Sequence, residues 1–257
     1  MPTLNRAGVA IHYEVSGTGP PLLLTHGYSA TGAMWSGQIE AFAAAFQLIT
    51  WDMRGHGRSD YPDDPAAYSE AATVADMAAL LHALRAERAI IGGLSLGGYM
   101  SLAFHLAHPD RVRALLIIDT GPGYRNDEAR AGWNRNALKT ADRYESEGLG
   151  RLAAGSPEMR TAQHRNAKGL ALAARGMLTQ RDDRVISSLP SIAVPSLVVV
   201  GANDAPFLAA SDYMAGKIPG ARKVVIENAG HAANIDQPAA FNAAVLDFLR
   251  QRGMDKS

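Results

Sequence analysis

Several short runs along the chain are apolar at almost every position instead of at alternate ones. They are Leu22-Leu23-Leu24-Thr25, Phe46-Gln47-Leu48-Ile49-Thr50-Trp51, Ala89-Ile90-Ile91, Ala114-Leu115-Leu116-Ile117-Ile118, Leu197-Val198-Val199-Val200 and Lys223-Val224-Val225-Ile226. A strand with one wet face alternates, whereas a strand covered on both faces does not, so these runs predict a parallel sheet. Helical patterns fill the gaps at residues 35–45, 69–86, 96–107, 206–217 and 238–252. Each is long enough to serve as a crossover, and alternating strands and helices predict an α/β sheet wound on both sides. Ile11 to Val15 alternates weakly and stops at Ser16-Gly17-Thr18-Gly19-Pro20-Pro21, which reads as an opening hairpin. From Gly121 to Pro190 there is no strand-like run, only helix-compatible segments punctuated by Gly and Pro. A structureless stretch of that length is improbable in a compact domain, so it is predicted to be a helical insertion after the strand ending at Asp119. The expected organisation is a core of residues 1–121 and 191–257 with a helical cap at 122–190.

Composition narrows the function. The 257 residues include 25 Lys+Arg against 25 Asp+Glu, and the pI is near 7.1. A chain without net charge sets up no long-range field for polyanions, so nucleic acid is not an expected partner. There is no cysteine, which excludes disulfides, thiolate nucleophiles and Cys-ligated metal. Charge is distributed unevenly: Gly121 to Pro190 holds 12 Lys+Arg and 8 Asp+Glu. Arginines on helices most often form a solvated face, so this excess is not read as an anion site. The first residues lack a secretory pattern and no apolar run approaches the roughly 20 residues that span a bilayer. A cytoplasmic protein without membrane association is the expectation.

The strongest chemical signal is Gly93-Leu94-Ser95-Leu96-Gly97-Gly98, set between the strand at residues 89–91 and a helix starting near Leu96. A serine on a tight strand-to-helix turn needs small residues two positions before and after it, and Gly93 and Gly97 supply them. The new helix would aim free N–H groups and its positive end at the same point. A serine hydroxyl also needs a base, and the base an orienting acid. His231 follows the strand at 223–226 in Asn228-Ala229-Gly230-His231, and Asp204 follows the strand at 197–200 in Gly201-Ala202-Asn203-Asp204. All three residues leave the C-terminal ends of predicted parallel strands, the edge where open α/β sheets carry their sites.

Together with Leu24-Thr25-His26-Gly27-Tyr28 and Asp52-Met53-Arg54-Gly55-His56-Gly57-Arg58-Ser59, these stretches resemble the α/β-hydrolase-fold enzymes from about Val9 to Leu249. The resemblance implies a mostly parallel eight-stranded sheet with helices on both faces and a small helical cap. It implies Ser95, Asp204 and His231 as catalytic residues, and the backbone N–H groups of Tyr28 and Leu96 as the oxyanion hole. The cap would close over Ser95 as a lid, with Trp133, Met159 and Met177 lining the pocket. The implied activity is that of a carboxylesterase acting on a small-molecule ester or lactone with no cofactor and no metal. Lactonases, carbon–carbon bond hydrolases and cofactor-free perhydrolases share the same three residues, and some proteins of the fold are receptors without turnover. Ser95 sets the chain apart from the dehalogenases and epoxide hydrolases of the fold, which use aspartate there.

Rival residues stand beside these. Asp119 also ends a strand and is the alternative acid; the Gly-x-x-Asp turn favours Asp204. His26 and His56 lie in motifs whose role in the family is to shape loops. His105 and His108 are three apart on one helix, with no third ligand near them in sequence, so no metal is expected. His12, His82 and His164 have no pattern around them.

Overall fold

The computed structural model describes residues 2–255. Its eight strands are β1 (Thr3–Arg6), β2 (Val9–Ser16), β3 (Pro21–Thr25), β4 (Gln47–Trp51), β5 (Ala89–Leu94), β6 (Val112–Ile118), β7 (Ser196–Gly201) and β8 (Arg222–Ile226). They form one sheet in the order β1-β2-β4-β3-β5-β6-β7-β8. The β1–β2 and β2–β4 pairs are antiparallel and all the others are parallel. The hairpin at the start is made by β2 with the upstream β1, turning at Ala7 and Gly8, both at positive φ. The Gly- and Pro-rich stretch after β2 is instead the passage to β3, which lies beyond β4.

The helices among the described residues are α1 (Ile39–Ala43), α2 (Glu70–Ala83), α3 (Leu96–Ala107), α4 (Asp127–Glu147), α5 (Pro157–Arg160), α6 (Ala167–Ala173), α7 (Arg184–Ser188), α8 (Ala205–Lys217), α9 (Ala233–Asp236) and α10 (Pro238–Gln251). None is long and apolar enough to cross a membrane. The continuous apolar strands have their cause here. Leu23, Ile49, Ile91, Leu115, Ile117 and Val198 face one core, shared with Met77 and Leu80 of α2, Phe104 of α3 and Met214 of α8. Leu22, Leu24, Leu48, Ile90, Leu116 and Val199 face the other, shared with Phe42 of α1 and with α10. On α10 the buried residues Phe241, Val245, Phe248 and Leu249 fall at i, i+4, i+7 and i+8, one stripe of a helix. Each such side chain stabilises the fold by about 1.5–3 kcal/mol when fully buried.

Between β6 and β7 the chain forms α4 to α7 and no strand. Asn126 caps α4 by accepting from the N–H of Ala129, and Asn166 caps α6 by accepting from that of Gly169. This segment has a small core of its own, in which Ala141 and Tyr144 of α4 meet Leu152, Leu170 and Ala174.

Candidate active site

The turn from β5 into α3 holds Ser95 at φ 55° and ψ −117°, a region that non-glycine residues rarely occupy. Packing sustains that strain. A Cβ on Gly97 would overlap the carbonyl oxygen of Thr25, and a Cβ on Gly93 would lie 2.5 Å from the carbonyl oxygen of Gly97. The Ser95 N–H donates to the Ile118 carbonyl at 2.9 Å, and the Thr120 hydroxyl donates to the Ser95 carbonyl at 2.7 Å. Both ends of the serine peptide are thus pinned to the end of β6.

Asp204 and His231 meet at this same edge: Nδ1 of His231 lies 2.9 Å from Oδ2 of Asp204, with the carboxylate 4% exposed. An ionised carboxylate only accepts, so Nδ1 carries the proton and Nε2 is left free to accept. The loops that bear them touch, the Asn203 N–H donating to the Ala229 carbonyl at 2.8 Å. A side chain on Gly201 would strike the carbonyls of Ala229 and Gly230, so glycine permits this approach. Phe207, one turn into α8, stacks on the imidazole with ring centroids 5.0 Å apart. Phe207 also lines the cavity that holds Ser95, so the histidine and the serine share one wall. Burial works to lower the pKa of His231, but the hydrogen bond and charge of Asp204, joined by the charges of Asp119 and Glu158, carry it above the ordinary 6.5.

Asp119, the rival acid, sits at the end of β6 with φ 44° and is fully buried. Its Oδ1 accepts from the Gly201 N–H at 2.8 Å and its Oδ2 from the Ala233 N–H at 3.3 Å. The side chain therefore joins the end of β7 to α9, beside the histidine loop. Burial pushes its carboxyl up to about 8, against the two N–H groups, which favour the ionised form.

The His26-Gly27-Tyr28-Ser29 loop lies against the elbow, and a Cβ on Gly27 would be 3.5 Å from that of Ser95. Three histidines hold it. His26 lies between the Gly27 carbonyl at 2.7 Å and the Met53 N–H at 2.9 Å. His56 lies between the Arg54 carbonyl at 3.0 Å and the Ser29 N–H at 3.2 Å. His164, from the inserted segment, lies between the Ser29 carbonyl and the Gly57 N–H, both at 3.0 Å. Each ring faces one carbonyl and one N–H, so each is neutral with a fixed tautomer. Burial lowers all three pKa values, that of His26 to about 4, and the neighbouring rings add to the effect at His26 and His56. The same loop is gripped from the insertion by the Tyr144 hydroxyl, which donates to Ser29 Oγ at 2.8 Å. The Tyr28 hydroxyl answers by donating to the Leu170 carbonyl at 2.8 Å. The side chain of Tyr28 therefore has a task of its own in joining this loop to α6.

The cavity beside Ser95 has a volume of about 100 Å³. Leu96, Trp133 and Met177 line it, as do Tyr124, Phe207 and Gln180, whereas Met159 packs with Tyr28 in the small core of the insertion. His105 stands in the last turn of α3 and His108 directly after it, away from this edge, and among the described residues no three His, Cys, Asp or Glu side chains are grouped to hold a metal. Sequence reasoning passed over Phe207, Thr120, Tyr144 and His164. Phe207 stands three residues after Asp204, where a helix starting at the acid must turn a side chain back to it; the other contacts arise only from tertiary packing.

A serine on a strained strand-to-helix elbow, at the same carboxyl edge of a parallel sheet as a histidine paired with a carboxylate, is an arrangement found in hydrolases. Residues 22–244 match the model of the alpha/beta hydrolase family, and the chain belongs to that family. It is 29% identical to 3-oxoadipate enol-lactonase 2 of Acinetobacter baylyi, over 97% of this chain and 96% of that protein. Among solved structures, a thermophilic esterase from Thermogutta terrifontis is 30% identical with a TM-score of 0.81, covering 97% of this chain and 96% of that one. The enol-lactonase from Burkholderia xenovorans is 27% identical with a TM-score of 0.78, covering 97% of this chain and 100% of that one.

Proposed function

We propose that the chain is a serine carboxylesterase that cleaves esters of small molecules through an acyl-enzyme intermediate. The observation that carries this reading is the 2.9 Å bond from His231 Nδ1 to Asp204, which leaves Nε2 as an acceptor on a ring stacked against Phe207, a wall of the cavity that holds Ser95. Ser95 Oγ attacks the ester carbonyl carbon while Nε2 takes its proton. The carbonyl oxygen becomes an oxyanion held by the backbone N–H groups of Tyr28 and Leu96. Leu96 opens α3, where the first N–H groups have no acceptor within the helix. Such a donor contributes about 2.7–4 kcal/mol to transition-state stabilisation. The tetrahedral species collapses as Nε2–H protonates the departing alkoxide, leaving the acyl group on Ser95. Water then attacks, gives its proton to His231, and the acid leaves with Ser95 restored. Asp204 fixes the tautomer and stabilises the imidazolium without taking the proton. The inserted helices serve as the lid, with Trp133 and Met177 shaping the pocket. A lactone presents the same bond in a ring, and the likeness to two enol-lactonases keeps lactones among the substrates.

The test is turnover of a short-chain p-nitrophenyl ester together with mass-detected labelling by a fluorophosphonate. Wild type should turn over and gain one adduct at Ser95; Ser95→Ala should lose both while keeping its circular dichroism spectrum. A variant that retained most of the rate would remove Ser95 from the mechanism.

A further inference from the structure

Several polar side chains in the walls of the cavity beside Ser95 are satisfied within the fold. The Tyr99 hydroxyl donates to Glu70 at 2.9 Å, the Trp133 indole N–H to the Leu178 carbonyl at 2.7 Å, and the Thr120 hydroxyl to the Ser95 carbonyl at 2.7 Å. Gln180 lines the same cavity, is 8% exposed, and its carboxamide oxygen is buried with no hydrogen-bond partner among the described residues. A buried carbonyl oxygen without a donor is costly, and native structures rarely leave one so without a reason. The residue is not loosely placed. Its N–H donates to Asn134 Oδ1 and its carbonyl accepts from Asn134 Nδ2, both at 2.8 Å, so α4 grips its backbone from both sides. Room at the carboxamide is kept by Gly123, at φ 93°, where a Cβ would stand 3.1 Å from the Gln180 oxygen.

We propose that Gln180 determines specificity: its carboxamide oxygen accepts a hydrogen bond from a hydroxyl or amide N–H on the part of the ester or lactone that enters this cavity. The inference rests on the reading of Ser95 as nucleophile. A substrate with a donor satisfies this acceptor, and one with a methyl or methylene at that place does not. Leu96, Met177, Leu178, Pro206 and Phe207 offer apolar contact, and apolar contact discriminates weakly between chains that differ by one group. The matched acceptor therefore sets a preference between near-isosteric esters, which should reach about tenfold or more in kcat/KM.

The experiment compares matched pairs on the full chain, with acid release as the readout. Ethyl N-acetylglycinate against ethyl levulinate exchanges an N–H for a methylene. Ethyl 3-hydroxybutanoate against ethyl 3-methylbutanoate, and 2-hydroxyethyl butanoate against propyl butanoate, exchange a hydroxyl for a methyl on the acyl and alcohol sides. Wild type should favour the donor-bearing member of at least one pair by about tenfold or more. Gln180→Met should bring that ratio to within about twofold through loss on the donor substrate, and Gln180→Glu, which keeps an acceptor, should retain a preference. Equal rates within every pair for the wild type, or a preference that survives in Gln180→Met, overturns the proposal. The wild-type comparison decides even if a variant does not fold. Fluorophosphonate labelling separates the two readings. A chain that neither labels at Ser95 nor cleaves any of these esters refutes the hydrolase reading, whereas a labelled chain that turns over no donor-bearing ester refutes the role of Gln180.

Discussion

Asp204 and Asp119 stand at the same edge of the sheet, and their partners assign them different work. Asp119 accepts from two backbone N–H groups, those of Gly201 and Ala233, inside a fully buried site. Asp119→Ala leaves both donors without an acceptor, at about 1–3 kcal/mol each, so the expected loss is about 4 kcal/mol. The positive φ of 44° tolerates Asp or Asn better than Ala and adds to the loss. At about 2–4 °C per kcal/mol for a chain of this size, the melting temperature should fall by roughly 8–16 °C. Asp204→Asn removes the charge that orients His231 but keeps the shape, so stability should change by less than about 1 kcal/mol while kcat falls by about 10⁴-fold. The assay pairs urea denaturation, followed by fluorescence of the three tryptophans, with p-nitrophenyl ester turnover on the same preparations. The reverse pattern, in which a folded Asp119→Ala is inactive and Asp204→Asn keeps most of its rate, would refute the assignment and make Asp119 the acid.

On the proposed mechanism, with neutral His231 as base and Asp204 raising its pKa, the kcat/KM profile should rise with pH through a midpoint above 6.5. In Asp204→Asn burial is opposed only by the charges of Asp119 and Glu158, so the midpoint should fall relative to wild type; an unmoved midpoint would disprove the coupling. His26 in the folded chain titrates at about 4 against 6.5 when free, so its stabilising contribution is present above 6.5 and is lost as pH falls toward 4. That contribution is about 3 kcal/mol, so the urea midpoints of wild type and His26→Asn should converge between pH 7 and 4.5, and parallel midpoints would count against it. Gly97→Ala sets a Cβ against the backbone carbonyls of Thr25 and His26 and should cost at least about 2–3 kcal/mol, whereas Gly150→Ala, with nothing within 4 Å, should cost little by the same denaturation measurement.

Much of the sheet was legible because its central strands are covered on both faces. The runs at Leu22 to Thr25 and Leu197 to Val200 could hardly serve anywhere else. β1 was silent for the opposite reason: Thr3–Arg6 alternates between exposed and half-buried and has no apolar run to betray it. The positions of Ser95, Asp204 and His231 at one edge of the sheet were readable because each sits on a short turn after a strand, where the sheet dictates position. The inserted segment offered no such frame. Its apolar residues had candidate faces but no known partners, and so Met159, expected at the pocket, packs instead with Leu152 and Leu170. His164 and Tyr144 could not be found by pattern, since both reach Ser29 across more than a hundred residues of sequence.

The bonds from Tyr144 and His164 to Ser29, and from Tyr28 to Leu170, bear on how such enzymes can diversify. A chimera that received a foreign α4–α6 segment would lose the struts that hold the bend from His26 to Ser29 in place. A transplant would have to bring a tyrosine and a histidine placed to meet Ser29. If the cavity beside Ser95 receives substrate as proposed, new substrate ranges are reached more readily by single changes in its wall, at Trp133 or Met177, than by wholesale exchange of α4 to α6.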